Sequence, residues 1–87
     1  MAAKAGSHVV FKALGDETRL GIVMALLDRE MCACDLPKVV RRAQPTVSLQ
    51  LKYLTNAGIL GSRKEGKMVY YSLKDRRVKG LLKCIAR

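Results

Sequence analysis

The stretch QPTVSLQLKYLTNAG, from Gln44 to Gly58, constrains the fold more than any other part of the chain. Its apolar residues recur at i, i+4 and i+7, the spacing of one stripe of a helix: Val47, Leu51 and Leu54. Pro45 suits the first helical position, and Gly58 suits the position just past the helix end. The opposite side carries short polar side chains and one cation: Gln44, Thr46, Ser48 and Lys52. Such a side can offer donors and acceptors to base edges in a DNA major groove, although an ordinary surface helix has the same pattern.

The positive charge of the chain lies in the same half as this stretch. The 87 residues carry a formal net charge of +10. Residues 1–37 contain four Lys/Arg and five Asp/Glu, whereas residues 38–87 contain thirteen and two. A basic half of this kind favours a polyanionic partner, nucleic acid above all. The length predicts one domain over residues 1–87, of which residues 1–7 are expected to fray.

Several classes of protein are excluded by what the sequence lacks. No apolar run approaches the ~18 residues that a membrane span needs. The start, MAAKAGSHVV, is no secretory signal, so we expect a cytoplasmic protein without membrane partners. In the cytoplasm its cysteines, Cys32, Cys34 and Cys84, are expected to be thiols. The sequence contains no acid–base pair, nucleophile–base arrangement or phosphate-binding glycine loop, so we predict that the protein is not an enzyme.

Three further helices are predicted before Gln44. The first is short and covers Val9 to Leu14. The second begins after the N-cap residue Asp16, and its apolar stripe has helical spacing: Leu20, Val23, Met24 and Leu27. Asp35 can cap the third helix, whose residues Leu36, Val39 and Val40 are expected to face the core. A very short connection then leads to the Gln44 helix, which is the helix-turn-helix pattern.

After Gly58 the period changes from about 3.6 to 2, which indicates a β-hairpin. Ile59 and Leu60 open the first strand, the segment 63–67 is the predicted turn, and the second strand places three residues on one face: Val69, Tyr71 and Leu73. A basic hairpin beside a helix-turn-helix is a wing. The predicted fold class is therefore mainly α with a hairpin: a winged helix-turn-helix with about five helices and a two-stranded wing.

The last predicted helix is amphipathic. Its apolar residues follow the i, i+3, i+4, i+7 spacing: Val78, Leu81, Leu82 and Ile85. We find no partner within one chain for both this stripe and the Val9–Leu14 stripe, so we expect the terminal helices to pair in a two-fold homodimer. A basic helix lying on a membrane surface is the second interpretation, but the stripe has no Trp or Phe.

Four segments together resemble the ArsR/SmtB family of metal-sensing repressors: FKALGDETRL (residues 11–20), EMCACDL (residues 30–36), QPTVSLQLKYLTNAGIL (residues 44–60) and RKEGKMVYYSL (residues 63–73). The Glu-x-Cys-x-Cys-Asp-Leu segment is characteristic of the arsenic- and heavy-metal-responsive branch. The resemblance implies a homodimer that represses transcription from a pseudo-palindromic operator until an inducer binds.

The resemblance also implies that Cys32 and Cys34 bind arsenite, antimonite or a soft divalent metal ion. Soft thiolates do select thiophilic ions. As(III) commonly takes three sulfurs, yet Pro37 stands where this branch often has a third cysteine. Either an exogenous ligand completes the site, or Cys84 of the same or the other subunit does. The terminal helix lacks the histidines of the zinc-sensing branch, and Gln50 stands where many members have histidine.

The residues expected at the DNA fall into two groups, and no cofactor is expected for DNA binding. Base edges should meet Gln44, Thr46, Ser48 and Leu49, and phosphates should meet Lys38, Arg41, Arg42, Lys52, Arg63, Lys64 and Lys67. Ion binding would move the third helix and so release the DNA. Two alternatives remain: the cysteine pair is a redox switch, or the protein packages DNA without sequence preference.

Overall fold

The computed structural model describes residues 6–85, and within this range it contains five helices and one sheet. The helices are α1 (Ser7–Leu14), α2 (Glu17–Ala25), α3 (Leu36–Val40), α4 (Gln44–Asn56) and α5 (Arg76–Ile85). The strands are β1 (Met31–Cys32), β2 (Leu60–Glu65) and β3 (Met68–Leu73). This is the predicted winged helix-turn-helix. Residues 1–5 of the segment expected to fray lie outside the described range, and Ser7 already belongs to α1.

The wing has one strand more than the sequence predicts. The sheet is antiparallel with the order β1-β3-β2, and β1 pairs with β3 through Met31–Tyr71 and Cys32–Tyr70. A strand of two residues is too short to show a period in sequence, because its existence depends on a partner almost forty positions away.

The hairpin turn is tighter than predicted. Arg63 and Lys64 belong to β2 rather than to the turn, and only Gly66 and Lys67 connect the strands. Gly66 has φ +62°, the left-handed conformation that two-residue hairpin loops require of their first residue.

The core lies between the helices and the first residues of the wing. The residues that are at most 2% exposed include Ile22, Val23, Leu26, Leu36, Val47, Leu54, Ile59, Leu60, Val78 and Leu82. The stripe predicted for α2 is therefore partly wrong: Leu20 and Met24 are exposed by 36% and 38%. The helix packs against α1, α3 and α4 with the side that carries Ile22 and Val23, so the predicted stripe lies at the edge of the buried face.

Two further predictions of burial fail in part. Val39 on α3 is half exposed, because this five-residue helix buries only Leu36. The stripes of α1 and α5 do find partners within one chain, since Val10, Ala13, Val78 and Leu82 all join the core. The apolar surface that α1 and α5 leave exposed is therefore smaller than expected. It includes Phe11, which is 62% exposed, and Ile85, which is 68% exposed.

Candidate DNA-binding surface and cysteine site

Helix α4 presents one side to solvent and buries the other, as its sequence predicts. The side chains of Val47, Leu51 and Leu54 are at most 3% exposed. The helix begins at Gln44, one residue before the predicted start, so that Pro45 is its second residue. The side expected at base edges is exposed throughout: Gln44, Thr46, Ser48 and Leu49. Leu49 is 65% exposed and therefore contributes nothing to the core.

Arg19 of α2 fixes α4 from the side. Its guanidinium donates to the backbone carbonyls of Ala13 at 2.8 Å and Lys12 at 3.2 Å, which end α1. It also donates to Oε1 of Gln50 at 3.2 Å and lies 4.2 Å from the ring centroid of Tyr53. The sequence gives no signal for this arrangement, because one arginine joins two helices that are thirty residues apart. Gln50 thus points away from the base-reading side and supports the helix.

Helix α3 and the turn that follows it carry three of the predicted phosphate contacts. Lys38, Arg41 and Arg42 are all exposed. Arg41 ends α3 in the left-handed conformation, with φ 59°. Arg42 donates to Glu17 at 3.2 Å and is thereby tied to the start of α2. The two helices of the motif are therefore joined by a short, cationic and conformationally restricted connection.

Arg63 on the wing is more restrained than a free phosphate contact would be. Its guanidinium donates to Glu30 and Glu65 and stacks on Tyr70, 4.6 Å from the ring centroid. The hydrogen bond from Arg63 lowers the pKa of the Glu30 carboxyl, and the same bond raises the pKa of Arg63. Within residues 6–85, Lys64 and Lys67 form no salt bridge.

All eleven residues expected at the DNA are exposed: Lys38, Arg41, Arg42, Gln44, Thr46, Ser48, Leu49, Lys52, Arg63, Lys64 and Lys67. They belong to α3, α4, the turn between these helices and the wing. The cationic side chains lie on α3, the turn after it, α4 and the wing, and the neutral hydrogen-bonding side chains lie on the first turns of α4. Cations suit phosphates, and neutral donors and acceptors suit base edges.

The cysteine pair lies where β1 gives way to the turn before α3. Cys32 is 6% exposed, Cys34 is exposed, and their Cα atoms are 5.1 Å apart. The structure joins the two sulfurs in a disulfide, whereas the sequence predicts free thiols. The reason is geometric: the backbone N–H of Asp35 donates to the Cys32 carbonyl at 3.0 Å, and this turn brings the two side chains together. Two sulfurs that can bond to each other can, once reduced, also converge on one ion.

A groove of about 470 Å³ lies beside Cys32. It is lined by Arg29, Glu30, Met31, Cys32, Asp35, Lys38, Val39 and Tyr70. Asp35 is the N-cap residue of α3, as predicted, but its side chain makes no capping hydrogen bond. The start of α3 is therefore held by Leu36 and the backbone, close to the cysteines.

The structure does not bring Cys84 to this pair. Cys84 is an exposed free thiol on α5, and no group of three or more His, Cys, Asp or Glu side chains within residues 6–85 is arranged to hold a metal ion. At this site one chain therefore provides only the two sulfurs of Cys32 and Cys34 within residues 6–85. None of the helices in the described range is long and apolar enough to span a membrane.

The sequence is similar to those of known regulatory proteins. Residues 16–62 match the family described as "Bacterial regulatory protein, arsR family". The chain is 49% identical over 74 residues to a cadmium resistance transcriptional regulatory protein, a CadC homolog of Staphylococcus aureus, covering 84% of this chain and 61% of that protein. It is 42% identical to an uncharacterised HTH-type transcriptional regulator of Methanocaldococcus jannaschii, covering 87% and 86%. It is 48% identical to the arsenical resistance operon repressor of Escherichia coli, covering 74% and 56%.

Two solved structures have the same fold. HlyU of Vibrio cholerae superposes with a TM-score of 0.86 at 32% identity, covering 91% of this chain and 86% of HlyU. A homodimeric winged helix-turn-helix DNA-binding domain of Mycobacterium bovis superposes with a TM-score of 0.80 at 26% identity, covering 91% and 73%. Among the sequence relatives, the chain spans only about three fifths of the length of the cadmium and arsenical regulators.

Proposed function

This chain belongs to the ArsR family of bacterial regulatory proteins, and from that premise we propose that it is a DNA-binding transcriptional repressor released from its operator by a thiophilic ion. The observation that carries the proposal is the orientation of α4. Val47, Leu51 and Leu54 are buried, and the polar side is left to solvent. A side with exposed hydroxyl and amide groups, flanked by cations, fits the donor and acceptor pattern of a major groove.

The proposed DNA contacts follow the position of each residue. Gln44, Thr46, Ser48 and Leu49 read base edges, and Leu49 can pack against a thymine methyl group. The phosphate contacts are Lys38, Arg41, Arg42, Lys52, Lys64 and Lys67, which set the affinity and its salt dependence. Arg63 joins them only to the extent that it leaves its two carboxylate partners.

The protein is proposed to act as a homodimer. Two α4 helices about 34 Å apart would enter successive major grooves of a pseudo-palindromic site. Phe11 on α1 and Ile85 on α5 are the exposed apolar residues that a second copy would cover. The homodimeric Mycobacterium bovis domain supports this assembly.

Cys32 and Cys34 are the proposed ligands of the inducer, which we take to be As(III), Sb(III) or a soft divalent metal ion. The disulfide must first be reduced by a cellular thiol such as glutathione, which supplies two electrons and two protons and is itself oxidised to a disulfide. The resulting thiols of Cys32 and Cys34 lose their protons when they bind the ion. Soft sulfur ligands suit a thiophilic ion. Because one chain offers two sulfurs, a third ligand must be exogenous or come from Cys84 of the partner. The arsenical and cadmium regulators among the relatives support this class of inducer.

The disulfide itself favours a second candidate, a thiol redox sensor on the same fold. An oxidant such as a peroxide would take two electrons from the two thiols, which release two protons as the Cys32–Cys34 bond forms. Both candidates use the same two sulfurs. They differ in whether the repressor responds to an ion or to an oxidant.

The experiment is a DNA-binding titration on a site selected from random double-stranded DNA. The reductant is a phosphine, since dithiols chelate arsenite. We expect arsenite to lower the affinity of the reduced protein about 5- to 150-fold and to have no effect on a variant with Cys32→Ser and Cys34→Ser. An oxidant in place of arsenite tests the redox candidate, and Cys84→Ser tests the third ligand.

Two results would contradict the proposal. One is an affinity that neither arsenite, cadmium nor oxidation changes. The other is steeply salt-dependent binding with no selected site in competition with random DNA, which would indicate a DNA-packaging protein.

A further inference from the structure

The cysteine segment is part of the wing sheet. Cys32 pairs with Tyr70 in the antiparallel β1–β3 ladder. The backbone N–H of Ala33 donates to the carbonyl of Val69 at 2.8 Å, which extends this pairing to the residue between the two cysteines. A change in the backbone at the cysteines therefore acts on β3 through main-chain hydrogen bonds.

A row of side chains crosses all three strands. Cys32 on β1 lies opposite Tyr70 on β3, and Tyr70 lies opposite Arg63 on β2. Directly opposed residues of antiparallel strands share one face and interact. The Arg63 guanidinium does so, lying over the Tyr70 ring at 4.6 Å.

Glu30, which precedes β1, binds the Arg63 guanidinium at the end of this row. Nε of Arg63 donates to both carboxylate oxygens of Glu30 at 3.1 Å, and Nη2 donates as well. Glu30 stands two residues before Cys32, so the same short segment that carries the sulfurs also binds the far strand of the wing. A multiply hydrogen-bonded guanidinium–carboxylate pair fixes orientation better than a single contact does.

We propose that Glu30, Arg63 and Tyr70 form a connection through which the state of the Cys32–Cys34 pair sets the position of the wing on DNA. This inference rests on the proposed function and adds to it a route separate from α3 and α4. In this role Arg63 is a positioning residue: it transmits the geometry of β1 to β2, the strand that carries Lys64.

The test compares two carboxylate variants. Glu30→Gln removes the charged partner of Arg63 that belongs to the cysteine segment. Glu65→Gln removes the other partner, which lies on β2 beside the turn and has no link to β1. Both side chains are at least 40% exposed, so neither substitution opens a cavity. Operator affinity and backbone amide NMR spectra of the full chain are measured in three states: reduced, reduced with arsenite, and oxidised.

In the wild type we expect the wing-tip amides of Gly66 and Lys67 to shift between states. In Glu30→Gln these shifts should shrink, and the ratio of operator affinities between states should fall about 3- to 10-fold. The affinity of the reduced protein should rise by no more than about 2-fold, since Arg63 keeps Glu65 as a carboxylate partner and exposed ion pairs contribute little by themselves. Glu65→Gln should keep the wild-type ratio and shifts.

The outcomes separate this inference from the proposed function. If Glu30→Gln keeps the wild-type ratio and shifts while mass spectrometry shows the cysteine pair oxidised or carrying arsenic, the connection is wrong and the proposed function stands. An equal loss in Glu65→Gln would also overturn it, because the effect would then come from wing charge alone. If the wild-type affinity is the same in all three states, the proposed function fails and this inference fails with it.

Discussion

Helices α4 and α5 are both amphipathic, yet only α4 buries its whole apolar stripe within one chain. Every apolar residue of the α4 stripe is at most 3% exposed. On α5, Val78 and Leu82 are at most 1% exposed, whereas Ile85 is 68% exposed. The position of the proposed DNA-reading helix is therefore determined inside the monomer, and the outer part of α5 depends on what covers it. The proposed release by an ion would benefit from this division, because the proposed reading helix can stay intact while its surroundings move.

The largest expected effect tests this difference in burial. Leu54→Ala should lower the free energy of unfolding by about 3 kcal/mol, since Leu54 is fully buried and its truncation leaves a cavity. Ile85→Ala is the matched variant on α5. In urea titrations at low protein concentration, its loss should be below about 0.5 kcal/mol.

Protein concentration sharpens the comparison. If Ile85 lies in a dimer interface, the cost of Ile85→Ala should grow at concentrations where the wild type is dimeric. If Ile85→Ala lowers the free energy of unfolding about as much as Leu54→Ala at every concentration, the apolar stripe of α5 is buried within one chain as completely as that of α4.

The sequence predicted α4 well because its signals are local. The complete apolar stripe and Gly58 after the helix both lie within fifteen residues, and both predict the same helix. The wing hairpin was predicted for the same reason, although the boundary of its turn was not. The eleven residues expected at the DNA are exposed, but their contacts stay a prediction.

The structural features that the sequence did not predict all depend on distant partners. Strand β1 exists because β3 lies beside it. Arg19 holds α4 because the end of α1 and Gln50 meet at its guanidinium. Arg63 was predicted to meet phosphates, and its pairing with Glu30, thirty-three residues earlier, has no local signature. The disulfide likewise follows from a turn whose geometry the two cysteines alone do not specify.

A second pair of variants compares the N-terminal caps of α4 and α5. Asp75 caps α5 by accepting from the backbone N–H groups of Arg77 at 2.8 Å and Val78 at 3.3 Å. Ala43 precedes α4 in the extended conformation of a cap residue and makes no side-chain capping bond. Asp75→Ala should therefore lower the free energy of unfolding by about 1–2 kcal/mol, and Ala43→Ser should raise it by about 0.5–1 kcal/mol. Thermal unfolding measures both.

The cap on α5 also predicts a pH dependence. The side-chain hydrogen bond from Arg77, followed by the two backbone hydrogen bonds, lowers the pKa of Asp75. A carboxylate whose pKa is lower in the folded state stabilises the fold above its unfolded pKa, near 3.9, and loses that contribution as the pH falls through its folded pKa. The difference between wild type and Asp75→Ala should be complete at about pH 6 and shrink below about pH 4. A difference that is constant down to about pH 2 would exclude the charged cap.

The smallest pair of effects comes from one glycine on each helix, and the two should have opposite signs. Gly58 follows α4 with φ +80°, and the N–H groups of Gly58 and Ile59 donate back to the carbonyls of Thr55 and Leu54, each at 3.0 Å. This is a Schellman ending, which requires the left-handed conformation.

An alanine at that position is strained although nothing stands within 4 Å of its Cβ, so Gly58→Ala should lower the free energy of unfolding by about 1 kcal/mol. Gly80 lies inside α5, has no such φ and also has open space around a Cβ. Gly80→Ala should raise the free energy of unfolding by about 0.5–1 kcal/mol, because alanine loses less backbone entropy in a helix. Chemical denaturation of both variants measures the two signs. A stabilising Gly58→Ala would mean that α4 does not need its left-handed ending, and a destabilising Gly80→Ala would mean that a second chain packs closely against α5 at that point.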